Sequence, residues 1–328
     1  NKIKKTGLHL KGDEKRISSL LTKLNVNLVT LANNHIFDYG VDGLKDTINF
    51  CNKNNINYFG AGLSTEEVKK PFYYNVNGKK ITFLNFAENE WANAEHGCPG
   101  ANALDIIDNV NQIKNEKLNA DLVIVIIHGG NEYYNLPNPT MQKKYRFYAD
   151  NGADLIIGHH PHCISGFEVY HDVPIFYSLG NFLFTKKSEH ESWYNGIILA
   201  INITSNNKIN FDLKFIKQSK IDYSVSFLNT HDSNIIQKEI EIVNNIISDE
   251  NLMLENWNDF LIKYESQYLR AFSPLNGIKN NKVKKLLIKA GLEKRFINKS
   301  HYFSLLNHIR CESHLEASLG VLKKYLKK

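Results

Sequence analysis

The sequence predicts an α/β fold over most of its length, followed by a helical region. Three observations lead to this prediction: compact apolar runs rich in β-branched residues, stretches of helical period between them, and an Asn-Gly dipeptide within an alternating segment. Repeated helix-then-strand units are typical of layered α/β domains. We therefore expect an α/β domain at 1–228 and helices at 229–328.

Three apolar runs have the composition of buried strands: NLVTLA at 27–32, DLVIVIIH at 121–128 and DLIIGH at 154–159. Short, continuous runs of this kind are typical of strands that are covered on both faces. The last two follow stretches of helical period, at 103–120 and 139–153. This alternation predicts the layered α/β domain.

Other segments predict antiparallel pairs. Residues 72–86 alternate around Asn77-Gly78, a dipeptide suited to a type I′ turn because both central residues need a positive φ. Segments 167–182 and 196–216 have the pattern of further β-pairs. The predicted core therefore mixes buried strands with hairpins.

Beyond the polar stretch NTHDSN at 229–234, the pattern becomes helical. Residues 234–269 have helical period and no strand signal, and the later segments continue in the same way. His301 and His308 lie in this region, and we interpret both as structural.

Composition excludes several classes of protein. Hydrophobic residues make up 42% and charged residues 23% of the 328, as in soluble globular proteins. The net charge of +6 is small and forms no compact basic patch in the sequence, although much of the excess lies towards the C-terminus, so we expect no nucleic-acid partner.

Cysteine usage and hydropathy give an expectation for the location. The four cysteines form no CxxC pair, which favours thiols in a reducing compartment. The chain contains no apolar run of about 18 residues, and residues 1–30 lack a signal-peptide core. We expect a cytoplasmic protein as the chain stands, or an anchored or extracellular one if a further segment precedes Asn1, since the chain begins without Met.

The three apolar runs all lead into a segment that contains histidine. They lead into Asn33-Asn34-His35, into His128-Gly129-Gly130, and into Gly158-His159-His160-Pro161-His162. Ligands of open α/β sheets gather at strand ends, and neutral imidazole is the commonest metal ligand. Proline fixes the turn between two histidines, so they can face one site. Spacing alone leaves two interpretations open: the histidines bind a metal ion directly, or they belong to a polar turn and contact no metal.

Four segments carry a family resemblance: LANNHIFDYGVDGLKDTI, GAGLSTEEVKKPFYYNVNGKKITFLNFAE, HGGNEY and ADLIIGHHPHCISGFEVYHDVPIFYSLGNFLF. In order and spacing they resemble the CapA family of capsule and poly-γ-glutamate synthesis proteins, within the calcineurin-like metallophosphoesterase superfamily. The resemblance covers roughly residues 20–217. It implies a four-layer metallophosphatase-like sandwich, with two mixed β-sheets flanked by helices, and the helical C-terminal region as an addition.

The resemblance also implies a site with two divalent metal ions, for which Mn²⁺, Fe or Zn²⁺ suit a mixed nitrogen and oxygen ligand set. The implied ligands are Asn34, His128, His160 and His162, with His159 as a replacement for one of the last two. Such metals activate water for attack on phosphorus, and His35 near the leaving oxygen would act as general acid. The implied reaction is phosphoester hydrolysis.

The sequence departs from the family pattern near its start. Family members begin with a Gly-Asp signature after a strand and an Asn-Leu-Glu segment, which supply acidic ligands. Nothing before residue 20 matches either, because Gly12-Asp13 follows no apolar strand. We interpret this as an absent first part of the domain, and the alternative is a reduced, non-catalytic site.

Other residues are candidates to line the site. Asp38 could orient His35 or belong to an ordinary turn, and Glu132 matches a family position. Asn181 in SLGNF could cap a turn or face the substrate. We interpret Tyr133 and Tyr134 as structural, since tyrosine is frequent in this chain.

Our leading hypothesis is a CapA-like protein that serves in making or exporting a capsular polymer, poly-γ-glutamate or polysaccharide. Its expected partners are the polymer or a phosphorylated precursor, and membrane synthase subunits. One alternative is a non-catalytic assembly factor of a polymer synthase or export complex. A weaker one is an enzyme that acts on the amide bonds of the polymer.

Overall fold

The structure, a computed structural model, describes residues 1–5, 7–94, 97–271, 275, 278, 280–292 and scattered positions from 302 to 326. It divides into two compact units, Asn1–Glu255 and Asn256–Lys328. All of the strands described below lie in the first unit.

The helices are α1 Glu14–Lys23, α2 Gly40–Lys53, α3 Thr65–Lys69, α4 Ile106–Lys117, α5 Pro139–Asp150, α6 Thr230–Ser248, α7 Glu250–Ala271 and α8 Asn281–Lys289. The strands are β1 Leu28–Thr30, β2 Asn57–Phe59, β3 Ala61–Gly62, β4 Phe72–Val76, β5 Lys79–Ala87, β6 Gly100–Ala101, β7 Leu122–His128, β8 Leu155–His159, β9 Phe167–Tyr170, β10 Val173–Phe176, β11 Asn195–Ile203, β12 Ile209–Gln218 and β13 Val225–Phe227. A 3₁₀ helix covers Glu191–Tyr194.

The main sheet has six strands in the order β4-β5-β7-β8-β10-β9. Its four central strands are parallel, and the antiparallel strands β4 and β9 form its edges. The predicted strands at 121–128 and 154–159 are β7 and β8, side by side in its centre. The predicted hairpin is β4–β5, and positive φ values of 51° at Asn77 and 74° at Gly78 confirm the I′ turn.

A second, antiparallel sheet of β11, β12 and β13 packs on one face of the main sheet. Alternate residues of its strands, among them Leu199 and Phe211, pack against the buried Leu122, Leu155 and Phe176. The intervening residues are mostly polar and exposed, as the period of two in a strand requires.

Helices α4 and α5 cover the other face of the main sheet. The rings of Phe86 and Tyr148 lie 6.1 Å apart across this layer, and the Tyr148 hydroxyl donates to Asn109 Oδ1 at 3.0 Å. The two helices begin where sequence signals place them, because the Asp105 and Asn138 side chains accept hydrogen bonds from their first-turn amides. Helices on a sheet that packs on a second sheet confirm the predicted α/β sandwich.

The run at 27–32 differs from its prediction. It forms only the three-residue β1, which pairs with β2 in a separate two-stranded parallel sheet and is half-buried throughout. Next to it, Leu31 packs with Leu44 and Ile48 of α2 on one side. A strand with one strand neighbour and one packed helix remains partly accessible.

The region after residue 229 is helical where the structure describes it. In α6, Ile236 and Ile240 pack against Ile197 and Phe215 of the second sheet. Within the described part of the chain, no helix has both the length and the apolar character needed to cross a bilayer. His301 and His308 lie outside the described residues.

Candidate functional site

The histidines that follow β7 and β8 are brought together by the register of the main sheet. The two strands are parallel, and the Cα atoms of His128 and His159 are partners in the ladder. Parallel strands present their carboxyl ends at one edge, so both histidine segments reach the same place.

The turn after β8 then directs the rings. His160 has a φ of 100° and His162 a φ of 58°, values in the left-handed region that residues with a side chain seldom adopt. The carbonyl of Pro161 between them accepts a hydrogen bond from the Tyr133 amide at 2.8 Å. This turn carries the His160 ring to His128, and His160 Nδ1 lies 3.1 Å from His128 Nε2.

Asn34 completes a compact group of three side chains. Its Oδ1 lies 3.1 Å from His128 Nε2, the atom that His160 also approaches. The amide orientation follows from Glu90, because Asn34 Nδ2 donates to Glu90 Oε1 at 3.4 Å and Oδ1 must then face His128. Asn34 Oδ1 and His160 Nδ1 thus both lie within hydrogen-bond distance of His128 Nε2; we call Asn34, His128 and His160 the central triad.

Burial keeps these imidazoles neutral. Desolvation, followed by the nearby histidines, lowers the pKa of His128 to about 2. The same causes lower the pKa of His160 to about 4, and burial lowers that of His159 to about 4. Neutral rings have free nitrogen lone pairs at physiological pH, which metal binding requires.

His35 is held by a carboxylate rather than by the triad. His35 Nδ1 lies 2.8 Å from Asp38 Oδ2, and Asp38 also accepts from the Leu10 amide at 2.7 Å and from the Lys5 ammonium. A carboxylate oxygen can only accept at this distance, so Nδ1 carries the proton and Nε2 is left available. His35 is the more accessible partner, with 30% of its side chain exposed against 1% for Asp38.

The pKa of Asp38 reflects this network. Burial alone would raise it, but hydrogen bonds from Lys5, from the Leu10 amide and from His35 outweigh burial, and the pKa is lowered. Asp38 therefore stays ionised and holds His35 in one tautomer.

His162 lies beside the triad and has a separate partner. Its Nδ1 lies 2.9 Å from Asn181 Oδ1, whose Nδ2 donates to the Trp193 carbonyl at 3.0 Å. Because the Asn181 amide is fixed in this way, His162 Nδ1 carries the proton and Nε2 carries the lone pair. The His160 and His162 ring centroids are 5.8 Å apart.

A cleft of about 320 Å³ is lined by some of these side chains, but not by His128 or His160. Of the predicted residues, Asn34, His35, Glu132 and His162 line it. Lys5, Glu90 and Lys186 line it as well, with an aromatic wall formed by Tyr133, Phe184 and Trp193. Of the two adjacent histidines, it is His160 and not His159 whose ring contacts His128.

Two donor-atom distances within the central triad are compatible with a single metal ion. Atoms bound to one ion at about 2.0–2.2 Å lie roughly 3 Å apart, and both distances from His128 Nε2 are 3.1 Å. Among the described residues, no three His, Cys, Asp or Glu side chains form a group that could hold a metal ion, so His128 and His160 are not joined by a third such side chain.

Sequence reasoning missed several residues of the cleft. Strand β5 ends at the same edge of the sheet: its last residue, Ala87, pairs with His128 and is followed by Glu88 and Glu90. The pKa of Glu90 is raised, because the effect of burial is larger than the opposing effect of the hydrogen bond from Asn34. The alternating pattern of 72–86 predicts only a hairpin and gives no signal for the carboxylates that follow it. No sequence pattern indicated Lys5 or Lys186.

Comparison with known proteins shows a family likeness in the part of the chain that contains this site. The sequence model of the family "Bacterial capsule synthesis protein PGA_cap" matches residues 2–186. The chain is 38% identical over 183 residues to "Capsule biosynthesis protein CapA" of Bacillus anthracis, covering 54% of this chain and 44% of that protein. It is 39% identical over 180 residues to "PGA biosynthesis protein CapA" of Bacillus subtilis (strain 168), covering 54% and 47%.

A more distant relative is the "Probable polyglutamine synthesis accessory protein Rv0574c" of Mycobacterium tuberculosis, 26% identical over 221 residues. The match covers 61% of this chain and 58% of that protein. The chain thus spans about half the length of the curated relatives it matches.

Proposed function

The chain belongs to the bacterial capsule synthesis family PGA_cap, and from this membership and the histidine cluster we propose a role in making or exporting a capsular polymer. The names of the Bacillus relatives refer to the capsule and to PGA, and the polymer we propose is poly-γ-glutamate or a polysaccharide. We further propose that the cleft is a metal-dependent phosphoester hydrolase site that acts on a phosphorylated precursor.

The central triad is the observation that carries this proposal. His128 Nε2 lies 3.1 Å from both Asn34 Oδ1 and His160 Nδ1, and burial leaves both imidazoles uncharged. In the absence of a cation, both contacts are hydrogen-bond distances in which a ring nitrogen carries the proton. A divalent cation would satisfy all three atoms together.

The proposed roles follow from the hydrogen bonds. Asn34, His128 and His160 would hold a divalent metal ion, and His162 could add Nε2 because Asn181 fixes its tautomer. When bound, such metals act as Lewis acids and lower the pKa of water. The sequence resemblance implies two ions of Mn²⁺, Fe or Zn²⁺, and the structure supports a donor set for one.

His35 would serve as the general acid. Asp38 holds its Nδ1 proton, so Nε2 is the atom that can carry a proton to a leaving oxygen. Because Asp38 also accepts from Lys5 and Leu10, it is kept ionised and in place through the reaction.

The experiment is a measurement of metal content and hydrolysis on the full chain. Purified protein is loaded with Mn²⁺, Zn²⁺ or Fe²⁺, the bound metal is measured by mass spectrometry, and 4-nitrophenyl phosphate and its bis diester are assayed. We expect His128→Ala to lose both metal and activity. His35→Ala should retain the metal and lose about 10²–10⁴-fold in kcat, the usual contribution of a general acid.

The control is His231→Ala, since His231 is exposed in the first turn of α6. It should match the unchanged protein in both measurements. Absence of stoichiometric metal with every ion, together with absence of hydrolysis, would refute the enzymatic part of the proposal.

The rival function is that of a non-catalytic assembly factor for a membrane synthase. It is favoured by the word "accessory" in the description of the mycobacterial relative. Capture of synthase subunits by the full chain, at equal yield with His128→Ala and His160→Ala, would support it. Cleavage of purified polymer, without hydrolysis of phosphoesters, would instead point to amide-bond chemistry.

A further inference from the structure

The loop that follows the SLGNF motif is held at two points by buried side chains. At the first, Gln218 is 1% exposed and bonds both backbone groups of Phe184, accepting from its amide at 2.7 Å and donating to its carbonyl at 2.8 Å. The side-chain amide thus satisfies the backbone N–H and C=O groups that a neighbouring strand would otherwise pair.

The second point lies four residues further along the chain. The hydroxyl of Tyr194, a residue that is 1% exposed, accepts from the Ser188 amide at 2.9 Å and donates to the Ser188 carbonyl at 3.0 Å. Four hydrogen bonds thus fix the backbone on either side of Thr185, Lys186 and Lys187. These three residues form a short bridge that cannot move far from the cleft.

Aromatic contacts connect the bridge to the histidines. The Phe184 ring meets the ring of His162 edge-on, with centroids 5.4 Å apart, and lies 4.8 Å from that of Trp193. The Trp193 ring in turn lies 4.5 Å from that of His162. The position of the bridge is therefore set relative to the proposed metal ligands.

The bridge carries two adjacent lysines in different positions. Lys186 lines the cleft, together with His35 and His162, and Lys187 does not. The other lysine of the cleft, Lys5, pairs with Asp38. Among the ion pairs of the described residues, none involves Lys186, so its ammonium has its charge available for a ligand.

We propose that Lys186 determines substrate specificity by binding a second anionic group, a carboxylate or a phosphate, next to the phosphoester that is cleaved. This inference rests on the proposed phosphoester hydrolase and names its substrate class: phosphoesters whose organic part is itself acidic. An ammonium is a compact point charge with three donors, so it attracts either kind of anion without selecting its geometry.

The test compares diesters that differ in one group. The substrates are methyl, carboxymethyl and phosphonomethyl 4-nitrophenyl phosphate, assayed with the full chain and its variants Lys186→Ala, Lys186→Arg and Lys187→Ala. Lys186→Ala should raise KM for the charged diesters about three- to fivefold, the effect of a partly exposed ion pair. Its KM for the methyl diester and its kcat should change less than about twofold.

The other two variants separate charge from position. Lys186→Arg should retain the preference for charged diesters, and Lys187→Ala should leave it unchanged. The carboxymethyl and phosphonomethyl diesters show which anion is preferred. Equal effects of Lys186→Ala on all three diesters, or equal effects of Lys186→Ala and Lys187→Ala, would overturn the inference.

The inference can fail separately from the proposed function. If the full chain hydrolyses none of the diesters, the proposed hydrolase fails, and calorimetric binding of the same three compounds then decides the role of Lys186. Tighter binding of a charged diester that is weakened by Lys186→Ala alone would support an anion site. Equal binding of the three, or no binding, would refute it.

Discussion

The two halves of the candidate site are held by different forces. His128 ends one strand of a six-stranded sheet and His160 directly follows the neighbouring strand, so backbone register and the packing of a buried core bring them together. Asn34 and His35 follow the half-buried β1 of a two-stranded sheet, and side-chain hydrogen bonds centred on Asp38 fix their turn. The first half should thus respond to loss of core volume, and the second to loss of a single carboxylate.

The largest expected effect is in the sheet half. Leu155 lies at the start of β8, is fully buried and packs between the two sheets. Leu155→Ala should lower the free energy of unfolding by about 2–5 kcal/mol, because it removes buried methyl groups and leaves a cavity. Urea denaturation followed by circular dichroism measures the change.

The matched control is Ile221→Ala, since Ile221 is 90% exposed. It should change the free energy of unfolding by less than about 0.5 kcal/mol. Similar losses in the two variants would show that core packing does not hold the sheet half.

The turn half should respond to Asp38→Asn. This carboxylate accepts hydrogen bonds from Lys5, the Leu10 amide and His35, and the amide that replaces it cannot serve all three. We expect a loss of about 1–3 kcal/mol in the free energy of unfolding, as for other buried hydrogen-bonding groups left unsatisfied. Hydrogen exchange should become faster at the amides of residues 33–38.

Asp42→Asn is the control for this variant, because Asp42 is an exposed carboxylate in the first turn of α2. Its cost should be a few tenths of a kcal/mol, from the weaker interaction with the helix dipole. Unchanged exchange at residues 33–38 in Asp38→Asn would mean that backbone contacts, rather than Asp38, fix the turn.

The smallest effect is a dependence on pH. The pKa of Asp38 in the folded chain lies below its ordinary value of 3.8, so the folded state favours the ionised form. Its contribution to stability is complete above about pH 3.8 and is lost as the pH falls through the lowered folded pKa. The difference in unfolding free energy between the unchanged protein and Asp38→Asn should therefore shrink in acid. A constant difference between pH 6 and pH 3 would contradict this assignment.

Much of the sheet half could be predicted from the sequence. Apolar runs at 121–128 and 154–159 became β7 and β8 because strands buried on both faces leave little choice of residue. The run at 27–32 has a similar composition, yet β1 is short and half-buried because its neighbours differ. Composition can predict that a segment forms a strand, but how deeply the strand is buried depends on the elements that pack against it.

The sequence predicts which residues lie at the strand ends better than it predicts which side chains contact one another there. The choice of His160 over His159 depends on a backbone with positive φ, which the letters HHPH do not specify. Glu90 and its hydrogen-bond partner Asn34 are 56 positions apart in the sequence. Lys186 lies at the cleft in a loop whose backbone is held by hydrogen bonds at Phe184 and Ser188. Such pairs form through tertiary structure and leave no local signal.

Helix α6 has a consequence for choosing a fragment of this chain to express. Asn244 Oδ1 accepts from the amide of Phe167 at the edge of the main sheet, and Gln142 of α5 donates to the Ile247 carbonyl. A fragment cut near residue 228 would remove both partners and expose the apolar surface under Ile236 and Ile240. A fragment intended for crystallisation should therefore keep the chain through Glu255, although every strand has ended by Phe227.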